Sequence, residues 1–461
     1  MGQAVLGSRE WAAAEFGAVQ LGDARLTDRL VRTAERIAAK PGKSLPEALS
    51  GWAELKAGYR LLDNPKTTRG QVVGPHLERT REACRGGGEW LLVEDTTTLS
   101  YNAHQAAEGL GPVGEKSGSR GMLLHSTLAL AVEGWEADGE PRVTVAGLFG
   151  QHAWVRPEKK QKKESSGRRK HRRRESERWG RVFEEAGGPP EGSRWTLVAD
   201  REGDIYRALS DCTARRVDFL IRAHQPRNLL GQEGSPFEAV AAAAPLGRVS
   251  LELRSRPGTP ARTAVLELRA TRVTLLAPPG QRSWFGPCPV TVVEAREIGA
   301  PTGVEAVHWV LLTSWEVTSL AEAWRTVRAY AKRWLIEEYH KALKTGAGIE
   351  RSQLGTRERL EALLGILGMV AVRLLNMKLL CSSRPDEPAA TFTLGPEALE
   401  VLTAIQGAPR GGWTNRNLMV AIAKLGGFLG RKGDGNPGWI TIWRGWNSLM
   451  LMTRAADLFR S

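Results

Sequence analysis

The stretch YAKRWLIEEYHKALK, residues 330–344, carries four side chains suited to phosphate chemistry. At about 100° per residue, Tyr330, Arg333, Glu337 and Lys344 fall at relative angles of roughly 0°, −60°, −20° and −40°. One narrow stripe of a helix would then hold a phenol, a guanidinium, a carboxylate and an amine. Leu335, Ile336, Tyr339 and Leu343 gather on the opposite side. A solvated helix face with an Arg333–Glu337 pair gives the same pattern. What separates the two readings is whether other acids reach the same place.

Two further acids stand at the ends of apolar runs. WLLVED puts Leu91, Val93 and Asp95 on one side of a pleat, and WTLVAD does the same with Thr196, Val198 and Asp200 before breaking at REGD. A turn or helix-cap role suits each Asp as well as catalysis does. Glu94 crowds Asp95, and Glu202 and Asp204 crowd Asp200, so spacing alone does not choose among them. Two Asp at strand ends plus one Glu on a packed helix make a cage of hard oxygens for two Mg²⁺ ions.

The elements needed to position these acids are legible along the chain. Residues 1–70 read as helical, with stops at Pro41-Gly42 and Asn64-Pro65. Short apolar or β-branched runs follow: EWLLVED, GMLLHSTLALAVE, RVTVAGLFG, RWTLVAD and VDFLIRAH. Residues 226–318 read as antiparallel β without helical pattern, and helices resume at about 319 and run to the end. This order predicts an α/β chain whose mixed sheet is covered by helices, with sites at strand ends.

Composition narrows the partners. Hydrophobic content of 41% and charged content of 25% are those of a soluble globular protein. The formal net charge is +14, and residues 156–174 alone hold a net +9, so a polyanion such as nucleic acid is the expected partner. Taken alone, such a run reads as a solvated loop. The four cysteines form no C-x-x-C pair, the histidines no H-E-x-x-H, and the N-terminus no signal pattern. ALLGILGMVAVRLLNMKLL is interrupted by Arg373 and Lys378 and reads as a buried helix rather than a membrane span. The expected compartment is a reducing cytoplasm.

With these residues in view, the chain resembles the bacterial cut-and-paste DDE transposases of the insertion-sequence-four family. YAKRWLIEEYHKALKTGAG is similar to that family's Y-(2)-R-(3)-E-(6)-K signature, and VEDTTTLSY and VADREGDIY to its first and second Asp motifs. WAAAEFGAVQLGDARLTDRL, AELKAGYRLLDNP and IAKLGGFLGRKGDGNPGWITIWRGW also resemble family segments, so the similarity covers nearly the whole chain. It implies a ribonuclease-H-like mixed-sheet core (71–225 and 319–380) with a β-strand insertion (226–318). It also implies a helical DNA-end-binding domain (1–70) and a helical dimerisation domain (381–461).

The resemblance makes Asp95, Asp200 and Glu337 the ligands of two Mg²⁺ ions, with Mn²⁺ as substitute. It makes Tyr330, Arg333 and Lys344 contacts to transposon-end phosphates, and Trp309 in WVLLTS the platform for a flipped base. Arg29 and Lys43 are end-contact candidates against an equal expectation of ordinary surface charge. The implied partners are double-stranded transposon ends, target DNA and a second copy of the chain in a synaptic complex, in the bacterial nucleoid with no membrane. The implied reaction is hydrolysis at the ends, a hairpin intermediate and joining of 3′ ends to target. Two rivals stand against it: a non-catalytic or domesticated nucleic-acid-binding protein of the same fold, and a carboxylate-pair glycan hydrolase. Neither explains the three acids together with the basic excess and the Arg/Lys stripe.

Trp439, Trp443 and Trp446 fall on one helical face. A core stripe is the plain reading, and the resemblance adds a subunit contact nearby.

Overall fold

Strand β1 (Gly88–Ser100) is apolar on both faces, and this dictates the layering around it. Leu91 and Val93 enter one hydrophobic core, Trp90 and Leu92 another. A strand buried on both sides needs cover on both sides. The computed structural model describes residues 8–104, 106–114, 118–157, 175–253, 261–389, 396–431 and 434–460. Most of the basic run 156–174, from residue 158 onward, lies outside the described residues.

Among the described residues the sheet has ten strands. The others are β2 (Gly111–Pro112), β3 (Arg120–Trp135), β4 (Pro141–Trp154), β5 (Ser193–Ala199), β6 (Asp218–Arg222), β7 (Pro245–Leu253), β8 (Arg262–Leu275), β9 (Cys288–Ile298) and β10 (His308–Thr313). β3 pairs antiparallel with β1 and β4, while β5 runs parallel to β1 and β6 parallel to β5. The order β4-β3-β1-β5-β6, with those directions, is the ribonuclease-H-like arrangement. The insertion does not stand apart from it. β10 pairs antiparallel with β6, and β9, β8 and β7 follow outward, so the insertion lengthens the same sheet. The edge that β6 would otherwise present is thereby closed.

Helices cover both faces. At the N-terminus lie α1 (Ser8–Phe16), α2 (Ala24–Ala39), α3 (Leu45–Ala48), α4 (Gly51–Leu62) and α5 (Arg69–Arg85). Asp23 caps α2 and Ser44 with Glu47 forms a capping box on α3. The stops at Pro41-Gly42 and Asn64-Pro65 fall where the sequence puts them. Helix α5 is not among the elements expected from sequence. It contains Pro75, and its buried face mixes Val72 and Val73 with His76 and Thr80, which blurs the apolar period.

α6 (Val182–Ala186), α7 (Tyr206–Ala214) and α8 (Pro236–Ala242) pack on the face that holds Trp90. On the other face lie α9 (Leu320–Ala331), α10 (Trp334–Lys341) and α11 (Arg357–Ser383). The C-terminal helices are α12 (Pro396–Gln406), α13 (Asn415–Leu425) and α14 (Trp439–Arg460). By length and composition α11 is apolar enough to cross a membrane, but 78% of that apolar window is buried inside the molecule. Trp439, Trp443 and Trp446 are all buried within their own chain, so the core reading of that stripe holds. Trp439 donates to Glu338 on α10 at 2.9 Å.

Candidate active site

β1 and β5 pair Val93 with Val198 in parallel register. Two residues further along each chain come Asp95 and Asp200, so the sheet sets two carboxylates level on strands about 4.8 Å apart. Asp95 Oδ1 accepts the Thr96 N–H at 2.8 Å. Asp200 stands just beyond β5, caps the single 3₁₀ turn Arg201–Gly203, and accepts the Glu202 N–H at 2.8 Å. Burial pushes the Asp200 carboxyl above its usual range; the Glu202 N–H opposes this, the Asp95 charge adds to it, and Arg333 pulls it down. Burial, then Asp200 and Asp95, raise Glu202 as well. Several carboxylates thus share one spot, and their repulsion is what a bound cation relieves.

The acids that sequence spacing left open are separated by the fold. Glu94 is fully buried, accepting from Thr127 Oγ1 at 3.0 Å and the Gly180 N–H at 2.8 Å, with His125 Nε2 at 3.4 Å. Asp204 is buried too. It accepts from the N–H groups of His224 and Gln225, both at 2.7 Å, and pairs with Arg227 at 2.5 Å. Both have structural partners that use their oxygens.

The stripe that opened the sequence reading is not carried by one α-helix. α9 ends at Ala331, and the chain turns at Lys332 and Arg333 through i→i−3 bonds before α10 begins. After Lys341 comes a π turn, Ala342–Gly346, closed by the Ala347 N–H on Ala342 O at 2.7 Å. A uniform 100° step therefore does not apply across 330–344. The apolar side is as expected, with Leu335, Ile336, Tyr339 and Leu343 buried. Tyr330 is buried as well, while Arg333 and Lys344 are half-buried and Glu337 is exposed. Glu337 is gripped by Arg333. Arg333 in turn feels Tyr330 and Asp95, and Arg222 at the end of β6 feels Arg201, Tyr330, Arg333 and Asp200. The sequence reading names Arg333, leaves Glu202 open beside Asp200, and misses Arg201 and Arg222. The only sequence signal for Arg222 is that it ends an apolar run.

Trp309 on β10 is half-buried, its ring edge-on to Tyr330 with centroids 5.3 Å apart. It lines a groove of about 1580 Å³ shared with Arg201, Arg222, Lys332 and Trp334. Arg29 lies half-buried on α2; Lys43 is exposed and pairs with Glu47 at 3.3 Å. The loop bearing Lys43 meets the π turn. Arg351 Nη2 donates to Gly42 O at 2.7 Å, and a Cβ on Gly42 would lie 2.6 Å from Gly346 O. A Cβ on Gly346 would in turn lie 2.7 Å from Trp443 Nε1. N-terminal loop, π turn and C-terminal helix therefore meet at Gly346.

Among the described residues no group of three His, Cys, Asp or Glu side chains is set as a ready metal cage. Asp95 and Asp200 have the right donors and the repulsion. Glu337 would have to leave Arg333 to join them.

Residues 8–67 match the family model for transposase DNA-binding domains, and residues 398–461 match that of the transposase Tn5 dimerisation domain. The first covers α1 to α4 and the loop carrying Lys43; the second covers α13, α14 and most of α12.

Proposed function

We propose that the chain is a Tn5-like transposase, a DNA-cutting and joining enzyme with DNA and a second copy of itself as partners, a reading supported by the matched DNA-binding and dimerisation segments, and that Asp95, Asp200 and Glu337 form its reacting centre. The observation that carries this reading is the level placement of Asp95 and Asp200 by the β1–β5 register, with Arg333 within electrostatic reach of both. Bound Mg²⁺, or Mn²⁺ in its place, would supply activation of a water nucleophile and neutralisation of charge on the leaving 3′ oxygen.

The chain's own residues do the rest. Asp95 and Asp200 are fixed by strand register and by N–H groups that each takes on one oxygen, which leaves the other oxygens for the cations. Arg333, placed between Glu337 and the two Asp, can exchange its carboxylate partner for a phosphate and present a bidentate fork. Release of Arg333 frees Glu337 to turn inward. Lys344 adds a point charge. Trp309, standing in the groove against Tyr330, offers a flat face to an unstacked base, worth about 1–3 kcal/mol per base. That would offset the few kcal/mol lost when a base leaves the stack on the way to a hairpin. The 3′ ends are then joined to target DNA.

The test is metal-dependent cleavage of a plasmid carrying the element's own ends. Ala at Asp95, Asp200 or Glu337 should abolish cleavage and leave end binding in place, since phosphate and base contacts lie mainly elsewhere. Robust cutting by any of the three sinks the assignment. Asp204 is the control, but as Asn rather than Ala. Removing the buried partner of Arg227 costs about 3–5 kcal/mol and would confuse lost activity with lost folding.

A further inference from the structure

His340 is the buried polar side chain beside the paired acids that the reading above leaves unused. It lies on α10, three residues past Glu337, and is almost fully enclosed. Its Nδ1 stands 3.6 Å from Asp95 Oδ2. That is the oxygen the backbone leaves open, because the Thr96 N–H goes to Oδ1. The other ring nitrogen, Nε2, is buried and has no hydrogen-bond partner among the described residues.

Four groups face the ring from the elements around it. Asp95 comes from β1 and His125 from β3, while Lys344 comes from the π turn and Tyr339 packs beside it on α10. In either protonation state the imidazole can carry an N–H on Nδ1, and Asp95 Oδ2 is the acceptor on that side, while Nε2 is left without a partner among the described residues. An apolar side chain would fill the same space without burying an unpaired nitrogen, so packing alone does not account for a histidine here.

We propose that His340 is a positioning residue: its Nδ1, poised 3.6 Å from Asp95 Oδ2, closes to a hydrogen bond on that oxygen when Asp95 takes a cation, while the Thr96 N–H holds Oδ1, so that the carboxylate meets a divalent cation in one orientation. The terminal torsion of an Asp side chain is soft, and strand register fixes its Cβ but not its plane. Two donors, one on each oxygen, remove that freedom and still leave each oxygen a lone pair for metal. The contact also sets α10, the helix of Glu337, against β1, the strand of Asp95. Partners of this kind behind a metal ligand typically carry 10- to 100-fold in metal affinity.

The inference rests on Asp95 being a metal ligand, and the experiment separates the two. Mn²⁺ is titrated calorimetrically into the full-length wild type, Asp95→Ala, His340→Asn and His340→Gln, and each is melted without metal. The Asn amide reaches about where Nδ1 stands, and the Gln amide about where Nε2 stands. The expected result is Mn²⁺ affinity near wild type for Asn, a loss of about tenfold or more for Gln, and little difference in melting temperature between them. Gln is closer to His in volume, so a packing role predicts the reverse order. Equal affinities, a better Gln, or unfolding of either variant overturns the positioning role. Mn²⁺ binding by Asp95→Ala equal to wild type, or none by wild type, overturns the metal-ligand reading on which it stands.

Discussion

The strand-borne half of the proposed site and its helix-borne half are built to different tolerances. Asp95 and Asp200 are level because β1 and β5 share a register, and a register cannot shift by a fraction of a residue. Glu337, Arg333 and Lys344 sit instead on a segment that passes through a tightened turn, one short α-helix and a π turn within some fifteen residues. Arg333 is paired there with Glu337 rather than with an acid of the sheet. The sheet supplies a fixed pair, and the helix segment a set of groups that can exchange partners. π turns and mid-helix 3₁₀ turns gather at functional sites for this reason.

If that division is right, damage to the fixed half should be absolute and damage to the other half graded. The largest effect is expected from Asp95→Ala or Asp200→Ala, with cleavage falling at least about 10³-fold while gel-shift binding of the ends persists. A residual rate only tenfold down would mean that the pair is not the reacting centre.

Next comes Gly346→Val, which forces a side chain into Trp443. Overpacking of this kind costs about 1–3 kcal/mol, to be read by thermal melting. Cleavage should fall with it, because Lys344 rides on the same turn. Unaltered melting with a Val there would show that the turn gives way freely.

Trp309→Ala should leave first-strand nicking intact and slow hairpin formation by about tenfold, the lower end of what base stacking contributes. Trp309→Phe keeps a ring against Tyr330 and should recover most of the rate. If nicking and hairpin formation fall together, or the Ala variant unfolds, the indole is there for the core.

The smallest effect lies away from both halves. His152 is exposed and stacks on Trp154; partial desolvation there, with Arg69 next, pushes its pKa from 6.5 down to about 4. The unfolded chain takes up that proton at higher pH than the folded one, so stability is complete above 6.5 and drains as pH falls toward 4. His152→Gln should flatten this part of the melting-temperature profile, while leaving cleavage at neutral pH unchanged.

How far the sequence foretold this architecture depended on the physics of each element. β5 is readable because an apolar run that ends in a charge has few other meanings, whereas β1 runs on past Asp95 to Ser100, so WLLVED marks the end of the apolar run and not of the strand. The roles of the acids beside Asp95 and Asp200 are not readable: only the folded chain shows Glu94 spent on Thr127 and Gly180, and Asp204 on Arg227. The stripe at 330–344 was identified by residue type but misdrawn in shape, since neither a 3₁₀ nor a π turn leaves a mark in apolar periodicity. Helix α5 escaped notice because its buried face is half polar. His340 escaped because its role depends on which oxygen of Asp95 the backbone leaves free, a matter of geometry with no pattern in the chain.

The continuity of the ten-stranded sheet has a mechanical side. A domain on a linker would swing when DNA pushed on it and spend the force on loop motion. Strands β7 to β10 have no such slack, because their ladder runs through β6 into β5. A load on the groove side of the insertion is borne in the plane of the sheet, against many backbone hydrogen bonds sheared at once. The plate is stiff along that direction, so if a duplex is bent against Trp309 as proposed, the strain would stay in the duplex, and the proposed site two strands away would keep its shape while the DNA yields.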